Sequence, residues 1–339
     1  AMKVAPDFVR PALASSYEVA GRFLLVDVFD EQTSSAIQRF LDRWHVTLVP
    51  DADHRTADAT LIFREGDAPS IPAELEKFAL NDAATGYASD TAYQIVFEDS
   101  VMAADESAVV RIWLNRPLDP DDNLLPRIVS YSLPAALRRC GVFELHSGAV
   151  INHATGKSIL ICGPSGSGKS TLTLQLAASG WSYLSDDVVL LSAEAAKVRA
   201  VGLRRFFGVT RQTVEASGLP QIDALLGKGT ARDFGKRRLE PQEFFPSGLA
   251  EECRPNVILF PMITGEATSR MRELSPAETM SRLIRLCPWS CYDRAVAREF
   301  LDVLAKLVRQ SASFDLFAGS DLMGDPDYTS SFLASAVKA

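Results

Sequence analysis

The chain has 339 residues, of which 47% are hydrophobic and 23% charged, and its formal net charge is −8. These values are ordinary for a globular protein that buries its own core, and the length suits about two domains of roughly 150 residues each. The negative charge argues against sequence-independent nucleic-acid binding, and the apolar runs are too short to span a bilayer. Five scattered cysteines, and the absence of a basic segment followed by an apolar core at the start, lead us to expect reduced thiols and a cytoplasmic location.

The first 120 residues alternate strand-like and helix-like segments. "GRFLLVDVF" predicts a strand, and residues 31–44 repeat apolar side chains at helical spacing. Further strands are predicted at 59–64, 93–100 and 108–116, the last two forming a hairpin around "VMAADES". We therefore expect an α+β domain over residues 1–120 that carries no chemical motif.

The segment "RPLDPDDNLL" is rich in proline and aspartate and indicates a domain boundary, so that a second domain covers residues 121–339. A helix with Pro134 inside it leads into this domain, followed by the strands "VFELHSGAVIN" and "KSILICG". Residues 227–241 are basic, glycine-rich and without periodicity, which is typical of a mobile loop. A buried strand at 255–263, two amphipathic helices and a closing strand at 314–322 complete the prediction.

A glycine-rich loop lies between the strand "SILI" and the helix "STLTLQLAASG". It fits the pattern G-x-x-x-x-G-K-[ST], in which backbone N–H groups and the start of a helix surround phosphate oxygens. The alternative is a chance glycine turn before a helix. The pattern predicts that the lysine reaches the β- and γ-phosphates and that the following serine hydroxyl binds Mg²⁺. The predicted nucleotide-binding residues are Gly163, Pro164, Ser165, Gly166, Ser167, Gly168, Lys169, Ser170 and Thr171.

Asp186 and Asp187 end the next predicted strand, which follows the loop after one helix. If that strand pairs beside the loop strand, both carboxylates reach the end of the sheet where the phosphates lie. One could then hold Mg²⁺ with Ser170, and the other could take the proton from an acceptor hydroxyl. Asp187 could also be a plain turn residue.

Other candidates are less specific. His146 lies on the strand before the loop strand and could hydrogen-bond an aspartate, although a core histidine is a close alternative. "CPWSC" favours two packed thiols over a metal site, because no histidine is near it. A basic set could clamp ATP phosphates or an anionic acceptor, or could simply be solvated; its members are Arg204, Arg205, Lys228, Lys236, Arg237 and Arg238.

The order of "LHSGAV", "GKSILICGPSGSGKSTLTLQL" and "GWSYLSDDVVLL" resembles the catalytic domain of HPr kinase/phosphorylase. The resemblance implies an α/β P-loop kinase domain akin to phosphoenolpyruvate carboxykinase, here preceded by the smaller α+β domain. It implies ATP and Mg²⁺ as cofactors and a catalytic set of His146, Lys169, Asp186 and Asp187. Within that set, Asp186 is predicted as the base and Asp187 as the residue nearer the metal. The family's second signature shares only Gly202-Leu203-Arg204 with this chain.

The predicted function is therefore transfer of the γ-phosphoryl group of ATP to a hydroxyl, expected to be a serine of a peptide or protein. A kinase of a small-molecule hydroxyl and a nucleotide-gated regulatory module with weak hydrolysis remain open alternatives. An ABC-type or GTPase motor is disfavoured, because neither an LSGGQ-like stretch nor an Asn-Lys-x-Asp guanine reader is present. We expect no nucleic-acid or membrane partner, and the resemblance is compatible with a homo-oligomer.

Overall fold

The computed structural model describes residues 13–50, 57–81, 84–98, 100–204, 206–223, 237–245 and 248–336. This part of the chain is mixed α/β and divides into two compact units. The first contains residues 1–141 and 289–298, and the second contains residues 142–288 and 299–339. No helix within the described ranges is both long enough and apolar enough to cross a membrane.

The described residues of the first unit form one large sheet and two α-helices, apart from the start of a helix shared with the second unit. In chain order its elements are β1 Leu13–Val19, β2 Arg22–Val28, α1 Glu31–Leu41, β3 Thr47–Leu48, β4 Ala59–Glu65, β5 Glu76–Asn81, β6 Ala84–Ala88, β7 Tyr93–Phe97, β8 Ser100–Ala104, β9 Val109–Leu114 and α2 Leu124–Arg138. The sheet order over the described residues is β3-β1-β2-β4-β9-β8-β7-β6-β5, with parallel pairing only between β2 and β4 and between β4 and β9. The predicted hairpin around "VMAADES" is thus a meander, because residues 100–104 form a strand of their own.

The helix α2 continues through Pro134 and packs on β4, β8 and β9, which is why this unit extends to Gly141 and not to residue 120. A buried ion pair closes its C-terminal end. The Asp293 carboxylate, 1% exposed, lies 2.9 Å from Arg138 Nη1 and accepts hydrogen bonds from Arg139 Nη1 and Nη2 at 2.8 and 2.9 Å. Residues 289–298 therefore belong to this unit although they follow the second unit's elements in sequence.

The second unit is built around another large sheet. Its elements up to residue 245 are β10 Val142–Asn152, β11 Lys157–Cys162, α3 Lys169–Ala178, β12 Ser182–Ser185, β13 Val188–Glu194, β14 Lys197–Gly202, β15 Phe207–Val209, α4 Arg211–Ser217, α5 Pro220–Asp223, β16 Arg237–Leu239 and α6 Pro241–Phe244. The remaining ones are β17 Glu252–Cys253, β18 Val257–Ile263, β19 Arg270–Glu273, α7 Pro276–Arg285, α8 Arg294–Gln310, β20 Ala312–Ala318 and α9 Pro326–Ala336. The first residues of α8 fall in the first unit.

Strands of the second unit run in the order β17-β14-β13-β10-β11-β18-β20-β19 over the described residues, and β12 also pairs with β10. The pairs β11–β18 and β18–β20 are parallel. The C-terminal ends of these three strands, and the loops that follow them, therefore lie at one edge of the sheet. The helix α3 packs Leu172 and Leu176 into a fully buried apolar cluster with residues of β11 and β18. This packing fixes the start of α3 at the edge where β11 ends.

Candidate functional site

The glycine-rich loop occupies the connection between β11 and α3. Gly166 and Gly168 have φ of 81° and 94°, a left-handed conformation that residues with side chains rarely adopt, and Gly168 is the N-cap of α3. Lys169 is only 6% exposed, and its Nζ donates to the carbonyl oxygens of Gly163 and Pro164 at 2.7 and 2.9 Å. The loop thus curls around its own ammonium group, at the helix end where N–H groups and the helix dipole favour an anion.

Ser167 carries a second notable feature of this loop. Its Oγ is shielded from solvent and has no hydrogen-bond partner among the described residues. A Cβ on Gly163 would lie 2.7 Å from that oxygen, so the loop closes over the backbone at Gly163 as tightly as a glycine allows. A buried hydroxyl without a partner costs free energy, on the order of 1–3 kcal/mol, unless something else in the site accepts or donates to it.

The acid pair lies in the connection between β12 and β13, and both of these strands pair with the same strand, β10. Along β10 the partner changes from β13 at His146, opposite Val188, to β12 at Ala149, opposite Ser185. Ser147, between them, donates its N–H to the carbonyl oxygen of Asp187 at 3.0 Å. On its other side Ser147 faces Cys162, the last residue of β11.

The middle of β10 therefore sets the acids and the glycine loop at one end of the sheet. The condition that the acid-bearing strand pairs beside the loop strand is not met, because β10 lies between the two. The acids still arrive at the loop, since β12 ends level with β11. The glycine loop and the two aspartates therefore lie close together as predicted, but β10 lies between their strands.

Each aspartate has its own set of contacts. Asp186 is 2% exposed, and its Oδ2 accepts a hydrogen bond from the backbone N–H of Gly208 at 3.0 Å. Asp187 Oδ1 lies 3.2 Å from His146 Nδ1, and its Oδ2 accepts a hydrogen bond from Arg204 Nη1. His146 therefore contacts an aspartate, as the first of its two predicted roles requires. Asp187 is contacted through one oxygen by His146 and through the other by Arg204.

A cavity of about 340 Å³ brings these groups together. Its polar lining includes the loop from Ser165 to Ser170, both aspartates and His146. Its apolar lining includes Ile263 and Met323, which are 55% and 54% exposed, together with Leu316, Ala318 and Leu322. Ile263 lies against the glycine loop, because a Cβ on Gly168 would be 3.4 Å from its Cγ1. One cavity thus combines an anion-binding loop with apolar surface.

Some lining residues were not predicted. Thr210, Gln212 and Thr213 reach the cavity from the start of α4, where Thr210 caps the helix by accepting the Thr213 N–H at 3.2 Å. Three polar residues at the cap and in the first turn of a short helix give no distinctive pattern in the sequence. Gly163 and Pro164, which were predicted to bind nucleotide, are not among the lining residues and instead supply the carbonyl groups that hold Lys169.

Half of the predicted basic set lies within the described residues. Arg204, Arg237 and Arg238 lie near the acid pair, whereas Arg205, Lys228 and Lys236 fall outside the described residues, as does much of the predicted loop at 227–241. In "CPWSC" Cys287 is buried but Cys291 is exposed, so the prediction of two packed thiols is wrong for Cys291. Burial also raises the pKa of the Cys162 thiol, just before the loop, to about 12. Cys162 therefore remains protonated at neutral pH and is unsuited to act as a nucleophile.

Comparison with known proteins gives only distant structural matches. No protein-family model matches the chain, and no curated protein does. Among solved structures, the Hpr(Ser) kinase/phosphatase from Coxiella burnetii matches with a TM-score of 0.25 and 14% identity, over 39% of this chain and 72% of that one. This match does not establish the family, so the activity has to be argued from the site.

Proposed function

We propose that this chain binds ATP in the cavity between α3 and β20 and transfers its γ-phosphoryl group to the hydroxyl of a peptide or protein, with serine as the expected acceptor. The observation that carries the proposal is that the glycine loop and two adjacent carboxylates line one cavity. Phosphoryl transfer needs little beyond positioning, charge neutralisation and a proton acceptor, and these are the groups present.

The dimensions and lining of the cavity support a nucleotide. The polyphosphate would lie at the start of α3, where loop N–H groups, the Ser167 hydroxyl and Lys169 can all donate to it. Lys169 would exchange its contacts with two loop carbonyls for contacts with phosphate oxygens, which bind an ammonium group more strongly because they are charged. Ile263 and Met323, which also line the cavity, offer apolar surface to a purine base.

The donors for Mg²⁺ are of the expected kind. Magnesium prefers oxygen ligands and is usually bound by one or two carboxylates together with substrate phosphates. The Ser170 hydroxyl and the carboxylate of Asp187 line the cavity and would hold the ion, which would neutralise charge on the β- and γ-phosphates. His146 and Arg204 orient Asp187 for this role.

Asp186 is proposed as the base. The acceptor oxygen forms a bond to the γ-phosphorus, the bond from that phosphorus to the β–γ bridging oxygen breaks, and ADP leaves with the bond's electron pair. The proton of the acceptor hydroxyl passes to the Asp186 carboxylate. The hydrogen bond from the Gly208 N–H fixes the orientation of this carboxylate, because it occupies Oδ2.

The test is transfer of radiolabelled γ-phosphate from ATP to serine peptides, beginning with peptides encoded beside the gene, with ATP hydrolysis measured in parallel. The Lys169→Ala variant should lose at least tenfold in nucleotide affinity, because it removes the ammonium group that is predicted to contact the β- and γ-phosphates. Lys197→Ala is the matched control, since Lys197 is exposed and does not line this cavity.

The outcomes separate the alternatives. Labelled peptide supports the kinase, and labelled small molecule in its place moves the acceptor to another class. Steady hydrolysis without a labelled acceptor favours a regulatory module. Unchanged nucleotide affinity in Lys169→Ala contradicts the assignment of the loop.

A further inference from the structure

The nucleotide cavity continues along one face of α3, away from the glycine loop. Its lining includes Gly168 at the start of the helix, then Thr171 and Leu172, and then Gln175. These positions recur at intervals of three or four residues, so they lie on one face of the helix. Gln175 follows Lys169 by six residues, which is about 9 Å along the helix axis. The same cavity therefore extends from the loop to the second turn of α3.

The side chain of Gln175 is buried in this part of the lining, and one end of its amide is fixed. It is 2% exposed, and its Nε2 donates to the carbonyl oxygen of Leu322 at 2.9 Å. A carbonyl oxygen can only accept, so the amide must place its NH₂ group towards Leu322 and its Oε1 on the other side. No described residue donates to this Oε1, and the atom is not closed off from solvent. Gln175 Oε1 is therefore a hydrogen-bond acceptor open to a ligand.

The wall that holds the glutamine amide is fixed by several contacts. The Leu322 carbonyl also accepts the Thr329 hydroxyl at 3.2 Å, and the Gly324 N–H donates to the carbonyl oxygen of Ala216, on α4, at 3.0 Å. A Cβ on Gly218, the C-cap of α4, would lie 2.3 Å from the Gly324 carbonyl oxygen, so the two backbones are in close contact. The acceptor is thus held in place before a ligand binds, which reduces the entropy lost on binding.

The lining around this acceptor carries no charge. The residues that line the cavity from the start of α4 and from 316–323 are polar but neutral, or apolar. The lining residues that can carry charge are His146, Lys169, Asp186 and Asp187, and all four belong to the proposed phosphate and metal site. A second phosphate beside Gln175 would have no cation to pair with, whereas a flat neutral ring with an N–H donor at its edge would have both apolar contact and a hydrogen bond.

We infer that Gln175 determines base specificity, and that its Oε1 accepts a hydrogen bond from the 6-amino group of adenine. The inference rests on the proposed nucleotide binding and adds how the base is selected. Adenine carries an amino donor at the position where guanine carries the O6 acceptor. Because Oε1 cannot donate, guanine in the same orientation would place two acceptors against each other and leave both without a partner. The site therefore selects ATP over GTP by the edge of the base.

The experiment removes the proposed donor from the ligand and the proposed acceptor from the protein. Affinities of the full chain for ADP, GDP and purine riboside 5′-diphosphate, which differs from ADP only in lacking the 6-amino group, are measured by calorimetry with Mg²⁺. Gln175→Met removes both polar atoms at similar side-chain length. Gln221→Met is the matched control, because Gln221 is exposed and does not line the cavity. Inorganic tripolyphosphate serves as a probe of the loop that carries no base.

We expect wild-type protein and Gln221→Met to bind ADP at least about tenfold more tightly than the other two diphosphates, since one buried acceptor is left unpaired in each of those complexes. Gln175→Met should bind ADP and purine riboside diphosphate within about twofold of each other, with its tripolyphosphate affinity unchanged.

Equal affinity of wild-type protein for ADP and purine riboside diphosphate would overturn the inference while leaving nucleotide binding intact, and this comparison needs no variant. An equal loss of both affinities in Gln175→Met, which a merely structural glutamine would give, would also overturn it. Failure of wild-type protein to bind either ADP or tripolyphosphate would overturn the proposed function, and this inference with it.

Discussion

Gly202 is the position at which a single methyl group tests the packing beneath the acid pair. It ends β14 and faces Val189 on β13. A Cβ added there would lie 2.1 Å from the carbonyl oxygen of Leu184 and 3.0 Å from its carbonyl carbon. Leu184 lies two residues before Asp186, on β12. The obstacle is backbone, so it cannot be relieved by a change of rotamer.

The expected cost follows from this distance. Ordinary contact of such a carbon begins at 3.4 Å, so a gap of about 1.3 Å must open against a close-packed sheet. Overpacking of this kind typically costs about 1–3 kcal/mol of stability. Alanine also restricts the unfolded chain more than glycine does, which offsets about 0.4–1 kcal/mol of that cost. We predict a net loss of about 1.3 kcal/mol in the free energy of unfolding for Gly202→Ala. A displacement of about 1 Å at Asp186 should also lower phosphoryl transfer by roughly a hundredfold.

The assay is urea unfolding followed by circular dichroism, with Gly265→Ala as the control. Gly265 has no atom within 4 Å of the added carbon and no left-handed φ, so its variant should be as stable as wild type or up to about 1 kcal/mol more stable. Equal unfolding free energies for the two alanine variants would refute the close approach of β14 to Leu184. Full transfer activity in a destabilised Gly202→Ala would refute the link from this contact to the acids.

Three further predictions concern individual side chains. Asp186→Asn should bind ATP with unchanged affinity in calorimetry while transfer collapses by at least a hundredfold, and full activity would remove Asp186 as the base. Iodoacetamide at pH 8.5 should modify the exposed Cys291 and leave Cys162 unmodified until urea is added. The reason is that burial raises the pKa of the Cys162 thiol to about 12. Rapid labelling of Cys162 in the native protein, measured by mass spectrometry, would contradict its burial. Hydrogen bonds from the Ser275 backbone and hydroxyl, and from Arg272, lower the pKa of Glu278 from 4.5 to about 2. Its contribution to stability is therefore complete above pH 4.5 and is lost as pH falls towards 2, so Glu278→Gln should flatten the dependence of unfolding free energy on pH in that window, and an unaltered slope would argue against these bonds.

The elements that surround the glycine loop could be predicted because several local signals agree there. An apolar strand, a loop with a fixed glycine and lysine spacing, and a helix of good formers follow one another without interruption, and β11 and α3 form where expected. The helix α8 likewise spans residues 294–310, the full extent of its amphipathic pattern. Such signals are contained within about 20 residues and need no knowledge of distant partners.

Features that depend on distant pairing could not be predicted in this way. The segments "EKFALN" and "ATGYA" lack a clear apolar alternation. They form the strands β5 and β6 because they pair with each other, and because β6 also pairs with β7. The position of β10 between the loop strand and the acids is a matter of sheet order, which a local pattern does not contain. The contact of Arg204 with Asp187 spans 17 positions and depends on the return of β14 beside β13.

The pairing of β10 with three other strands has a mechanical consequence. Ser147 is joined by hydrogen bonds to Asp187 on one side and, through its Oγ, to the Ile161 carbonyl of β11 on the other, at 3.0 and 3.1 Å. The distance across the site is therefore two strand spacings, about 10 Å, and belongs to the sheet ladder itself. Insertions or exchanges in the connecting segments can change the lining of the cavity, but they leave this span between the glycine loop and the acids unaltered.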